Sequence, residues 1–239
     1  MSTRSNYDQQ LQEQRDRVVT MASMVDKAIA RALEALRLQN VALADEVQRS
    51  DNAINRLHRA GEEKAIELIT LQAPVGIDVR RLASSLALFS NLERMGDYAA
   101  GIAKIVVEGS DDELLKPLVD IPRMGVIARE MLDAAILAYI NDDIEAARTV
   151  AQRDDELDFL YDGIVAELMD FMTDDSSTVK RATHLLWIAH NLERIGDRVT
   201  NICERVVYIV TGEFEELDTV RQSHFPFSSN GVSESGAEG

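Results

Sequence analysis

Asn91-Leu92-Glu93-Arg94-Met95-Gly96-Asp97 returns 100 residues later as Asn191-Leu192-Glu193-Arg194-Ile195-Gly196-Asp197, with six of seven positions identical. Self-similarity at a fixed offset means that the chain builds one supersecondary unit twice. The match runs backward from the heptapeptide. Asp78-Val79-Arg80-Arg81 faces Thr178-Val179-Lys180-Arg181 at the same offset. At an offset of 103, Asp51-Asn52-Ala53-Ile54-Asn55 faces Asp154-Asp155-Glu156-Leu157-Asp158, and Met24-Val25-Asp26 is echoed by Met131-Leu132-Asp133.

The unit is helical. From Tyr7 to Gln39 there is no Pro or Gly, and Val18, Met21, Val25, Ala28, Ala32 and Leu36 recur at three- and four-residue steps. The spacing predicts further helices over Val41–Leu71, Ile77–Glu108, Arg123–Ile140, Asp143–Met172 and onward to about Val210. Breakers separate them at Ala73-Pro74-Val75-Gly76, at Gly109-Ser110-Asp111-Asp112 with Pro117 to Pro122, and at Asp174-Asp175-Ser176-Ser177. The expected fold is all-α, six helices forming two tandem, pseudo-twofold three-helix bundles. The first bundle is expected over 7–110 and the second over 123–212, with a linker at 111–122. A disordered tail is expected over 213–239, where Ser, Gly and Glu dominate from Ser228.

Composition limits function. A net charge of −17 repels a phosphate backbone, so nucleic acid is not an expected partner. Cys203 is the single cysteine, so no disulfide forms within the chain, as suits a reducing compartment. No stretch approaches the roughly 20 apolar residues of a membrane span. The expectation is a cytoplasmic protein that meets a membrane only through partners.

The chemistry lies in the repeated heptapeptide. On a helical wheel Val79, Leu82, Leu86 and Phe89 mark an inward stripe, and Glu93 and Asp97 fall in nearly the same direction. Ala182, Leu186 and Ala189 point where Glu193 and Asp197 point. A buried, uncompensated charge costs several kcal/mol, a large part of a total stability of about 5–15 kcal/mol. Arginines, protons or a metal must therefore offset these acids. Asp51 and Asn55 lie one turn apart on the preceding helix of the first unit, and Asp154 and Asp158 on that of the second. Brought together, each unit has about four oxygen-bearing side chains, a hard donor set suited to Mg²⁺, Ca²⁺, Mn²⁺ or iron rather than Cys-type zinc. The competing reading is a stabilising network in which Glu93 and Asp97 pair with Arg80, Arg94 or Arg194. Gly96 and Gly196, mid-helix in both copies, point to close helix approach beside the acids.

The two clusters differ. His190 falls beside Asp197 and offers a nitrogen ligand to the second only, since Ser90 holds that place in the first. Glu204 follows the second on the same face, where the first has Lys104. His184 points away from the acids. Cys203, Trp187 and the methionines read as packing. There is no P-loop, dinucleotide turn, nucleophile elbow or His-Glu-x-x-His.

The doubled Asn-Leu-Glu-Arg-x-Gly-Asp resembles the PhoU family of phosphate-signalling proteins, over about residues 10 to 212. Glu93/Asp97 and Glu193/Asp197 match that family's Glu(or Asp)-x-x-x-Asp motif in full, Asp154/Asp158 match its Asp form, and Asp51/Asn55 depart from it by an amide. Gln72 to Arg80 resembles the Gln-Pro-x-x-x-Asp-(Leu)-Arg stretch of the family. The resemblance implies multinuclear metal clusters on these residues, with Fe, Mn, Mg, Zn or Ni as the ions to consider. It implies a homodimer that relays the state of a phosphate transporter, through its ATPase, to a membrane sensor histidine kinase and so restrains phosphate uptake. Arg80, Arg94, Arg181 and Arg194 are then the expected contacts to phosphate or a partner. The alternative is a metal-dependent hydrolase or oxidase that uses the same carboxylates.

Overall fold

A computed structural model describes residues 3–217, with side chains from Asn6. Seven α-helices and one 3₁₀ turn follow in order: α1 (Thr3–Leu38), α2 (Val41–Gln72), α3 (Ile77–Glu108), α4 (Asp120–Asn141), α5 (Ile144–Ala151), α6 (Asp154–Asp174), the 3₁₀ turn Ser176–Thr178, and α7 (Val179–Thr211). No strand occurs among the described residues. The six-helix plan holds, with its fifth helix split into α5 and α6.

The split is a correction to the expected Asp143–Met172 helix. Arg153 donates its N–H to Val150 rather than one residue further back, and Glu156 does the same to Arg153. This tight turn restarts the helix at Asp154, and Asp154, Asp155 and Glu156 then fill the first turn of α6. Three carboxylates there suit the positive end of the new helix. The start of α4 also moves. Pro122 was expected in the break, but it lies in the first turn of α4, where its missing N–H costs nothing.

The internal symmetry is visible in the turns. α1 passes to α2 through Gln39 at φ +50 and Asn40, whose side chain accepts from Leu43 N–H at 3.0 Å. α4 passes to α5 through Asp142 at φ +53 and Asp143, which accepts from Ala146 N–H at 3.0 Å. Asn40 N–H bonds Ala35 O and Asp143 N–H bonds Ala138 O, each at 2.9 Å. An Asx N-cap behind a left-handed residue folds both hairpins the same way.

Helices α3 and α7 form the central pair. Arg80 donates to Val210 O, Gly101 faces Asn191, and Gly109 faces His184, so the two run antiparallel. α2 and α1 pack on α3, and α4, α5 and α6 pack on α7. One continuous buried cluster extends from Val18 in α1 to Ile209 in α7. Leu88, Leu92 and Met95 of α3 are fully buried in it, each contributing about 1.5–3 kcal/mol. The segment 213–217, expected to open the tail, packs on α7 and α5. Phe214 stacks on Tyr208 at 4.1 Å, and Glu215 accepts from Arg148 at 2.7 and 3.2 Å. The rest of the expected tail lies outside the described residues. No helix of the described residues is long and apolar enough to cross a membrane.

Candidate metal centres

Each heptapeptide lies on a central helix, and its glycine is where the neighbouring helix comes close. A Cβ at Gly196 would overlap Asp154 Oδ1 of α6 and stand 2.6 Å from Leu157. A Cβ at Gly96 would stand 3.1 Å from Ile54 and 3.2 Å from Asp51 Oδ1 of α2. The glycines admit the facing acids, as the sequence suggests.

In the second unit the acids are buried. Asp154, Glu193 and Asp197 are 7%, 7% and 9% exposed, so the core-directed reading of the wheel holds here. Arg194 reaches over both acids of its own helix. Its Nε lies 3.1 Å from Glu193 Oε2, and its Nη1 donates to Asp197 Oδ2 at 3.1 Å. Thr200 donates its hydroxyl to Asp154 Oδ2 at 3.2 Å. Sequence reasoning missed Thr200, although it lies one turn beyond Asp197 where the first unit has Ala100. His190 Nδ1 is 3.7 Å from Glu193 Oε2. Burial and Arg194 hold its imidazole pKa below the usual value, which favours the neutral ring. Asp158 of α6 is half-buried. Glu204 accepts from Leu217 N–H at 3.1 Å, a bond that ties down the segment after α7.

In the first unit the acids face α2 but are only partly buried. The side chains of Glu93 and Asp97 keep 21% and 41% exposure, and Arg94, at 60%, stands 3.6 Å from Glu93 and 3.8 Å from Asp97. The neighbours differ as well. His190 stands 3.7 Å from Glu193, and the rings of Trp187 and Tyr161 pack on it at centroid distances of 5.6 and 6.0 Å. Their counterparts are Ser90, Ala87 and His58. Asn55 donates to Asp51 Oδ2 at 2.7 Å, while Asp51 Oδ1 is buried without a hydrogen-bond partner. Burial, with Asp97 and Glu93 nearby, pushes the Asp51 carboxyl up from its ordinary pKa.

The arginines divide. Arg94 and Arg194 join the clusters. Arg80 instead meets the C-terminal carbonyls of α7, 3.5 Å from Val210 O, and covers Gly212. Arg181 lines a small cavity with His184, Gln39 and Asp112. A cavity of about 230 Å³ lies among Gln14, Arg15, Arg81, Tyr139 and Asp142, and the motif acids line neither. Trp187 was expected to be packing but is 55% exposed, as Met169 is at 47%. Cys203 is fully buried, and burial pushes its thiol up to about 12. His58 Nε2 lies 3.2 Å from Glu62.

Opposed pairs of oxygen donors on adjacent helices fit a hard cation better than a soft one. Among the described residues, no three His, Cys, Asp or Glu side chains already form a ready ligand set.

The model of the PhoU domain matches the chain twice, over residues 18–106 and 121–206. The phosphate-specific transport system accessory protein PhoU homolog of Clostridium acetobutylicum is 34% identical over 217 residues, covering 90% of this chain and 99% of that protein. The protein of the same name from Aquifex aeolicus is 36% identical over 213 residues, covering 89% and 96%. The crystal structure of PhoU from Pseudomonas aeruginosa superposes with a TM-score of 0.83 at 29% identity, over 87% of this chain and all of that one. The phosphate transport system regulatory protein PhoU from Streptococcus pneumoniae superposes with a TM-score of 0.82 at 32% identity, over 87% and 99%.

Proposed function

The chain belongs to the PhoU family, and from that premise we propose that it is a non-catalytic regulator of phosphate uptake. In this reading a cytoplasmic homodimer links a phosphate ABC transporter, through its ATPase, to a sensor histidine kinase and restrains the response to phosphate starvation. The relatives named as accessory and regulatory proteins of phosphate transport support the role.

The observation that carries the chemical part is the buried trio Asp154, Glu193 and Asp197 around Gly196. Asp154, Asp158, Glu193 and Asp197, with His190 beside them, would hold an ion in the second unit. Asp51, Asn55, Glu93 and Asp97 would do so in the first. An ion would supply positive charge that offsets the carboxylates and ties α6 to α7, or α2 to α3. The chain's own residues then act by position: the glycines admit the facing helix, and Arg194 holds its two acids in place.

Elemental analysis of protein purified without chelator tests the metal. The wild type is expected to carry bound metal, and Glu193→Ala with Asp197→Ala to carry much less. Equal content in both would sink the assignment. A phosphate-responsive reporter in a deletion strain tests the regulator. Derepression at high phosphate is expected, and an unchanged reporter would overturn that role. Metal-dependent phosphatase turnover lost in the double variant would favour the hydrolase alternative instead.

A further inference from the structure

We propose that the outward face of α6 is a docking surface for a basic amphipathic helix of a partner protein. Phe159 is 79% exposed and Met169 47% exposed on this face. Between them lie Gly163 and Ala166, both exposed. A phenylalanine so far in water gains nothing from the fold of its own chain.

Gly163 sharpens the point. A glycine inside a helix weakens it relative to alanine, and a packing contact normally explains its presence. Gly96 and Gly196 have such contacts, but a Cβ at Gly163 would meet nothing within 4 Å. The fold has no use for this glycine. A second helix laid across α6 does, because the missing side chain lets its backbone come close between the Phe159 and Met169 anchors. At a rise of 1.5 Å per residue these anchors are roughly 15 Å apart, about three turns of a partner helix.

Charge selects the partner. α6 carries Asp154, Asp155, Glu156, Asp158, Asp162, Glu167, Asp170 and Asp174, and no Lys, Arg or His. Asp155, Glu156, Asp162 and Asp170 are exposed, Asp155 and Asp170 at the two ends of the apolar stripe and Asp162 within its length. From outside α6, Arg153 stands 3.7 Å from Glu156, and Lys116 pairs with Glu167 at the inner edge. The flanks stay strongly acidic, and they match lysines or arginines bordering an apolar stripe.

The fold does not require this face. In α2 the equivalent positions are Arg56, Ala60, Glu63 and Ile66, with Arg59 opposite Asp162. One unit presents a mixed-charge, solvated face where the other presents apolar anchors between acids. The surface deepens the adaptor reading, since an adaptor needs a place to bind, and it does not depend on a metal.

The test uses the full chain and a fluorescent 18-residue helical peptide with a leucine stripe and lysine flanks. Anisotropy is expected to show saturable, salt-sensitive binding. Phe159→Asp and Gly163→Leu are each expected to weaken it at least tenfold, whereas Arg56→Asp on α2 leaves it unchanged. Circular dichroism and melting of each variant identify any that fails to fold, and Phe159→Ser then serves in its place. No saturable binding, or equal binding by the wild type and both α6 variants, would overturn the proposal. So would a doubled mass in solution that Phe159→Asp abolishes, because the occupant is then a second copy of this chain. A reporter that Phe159→Asp leaves repressed, while deletion derepresses it, would remove the surface and leave the adaptor reading standing.

Discussion

Glu93 and Glu193 hold the same place in two copies of one heptapeptide, yet 21% of the first side chain meets solvent and only 9% of the second. The motif does not set this burial. Its neighbours contribute: His190 and Thr200 stand against the acids of the second cluster, where the first has Ser90 and Ala100. The arginines follow suit. Arg194 stands 3.1 Å from each acid, whereas Arg94 stays at 3.6 and 3.8 Å and largely in water. One sequence can thus give a buried, charge-matched cluster or a solvated one.

The sharpest way to break this comparison is to fill the glycines. Gly196→Ala forces a methyl into Asp154 and Leu157, and is expected to cost about 1–3 kcal/mol after the gain in helix propensity. Gly96→Ala meets only tight contacts to Ile54 and Asp51 and should stay within about 1 kcal/mol of the wild type. Urea midpoints at unchanged slope would measure both, and equal losses would show that the two sites are packed alike.

Removing the arginines comes next. Arg194→Ala takes away a charge shared by two buried carboxylates and is expected to destabilise by about 1–2 kcal/mol, allowing for its partial exposure. Arg94→Ala is expected to cost less than about 0.5 kcal/mol. A larger loss for Arg94 would reverse the ranking.

Cys203 gives the comparison a pH axis, because its place in the first unit is held by Ala103. Burial raises the thiol in the folded state above its unfolded value. The folded chain therefore holds the proton more tightly. Its stabilising share is fully present below the unfolded pKa of about 8.5 and is lost as pH rises toward 12. Cys203→Ala should flatten the fall in stability between pH 8 and 10 by about 2 kcal/mol. The native thiol should also resist alkylation at pH 8. Placing the same probe at Ala103, and comparing labelling rates, tells which unit opens first.

The smallest expected effect lies on α6. Gly163→Ala should stabilise by about 0.5–1 kcal/mol, since the methyl enters open space. Ala60→Gly at the matching place in α2 should cost about the same. A thermal melt reads both.

The helices were legible because their apolar spacing and breakers are local. Ile77–Glu108 follows directly from Gly76 and the uninterrupted run after it. The break at Gln152 and Arg153 was missed because neither residue is a helix breaker, although Asp154-Asp155-Glu156 has the composition of a helix start. The wheel placed both acid pairs on the inward side, but depth depends on what the other helices bring, and spacing within one helix carries no record of that. The sequence offers Arg80 as a partner for Glu93 and Asp97, roughly four and five turns further along its own helix. In the antiparallel pair it meets the far end of α7. Trp187 was assigned to the core by residue type, yet it stands at the rim of the second cluster, half in water.

The antiparallel pairing of α3 with α7 places two related halves as a homodimer would place two protomers, around a pseudo-dyad. In a true homodimer every substitution appears twice, so His190 could not border one cluster and Ser90 the other. Fusing the halves into one polypeptide frees each to diverge alone. An amide at Asn55 can then accompany a carboxylate at Asp158, and an arginine at Arg56 a phenylalanine at Phe159. Covalent linkage thus permits a division of labour that no symmetric pair of identical halves can reach.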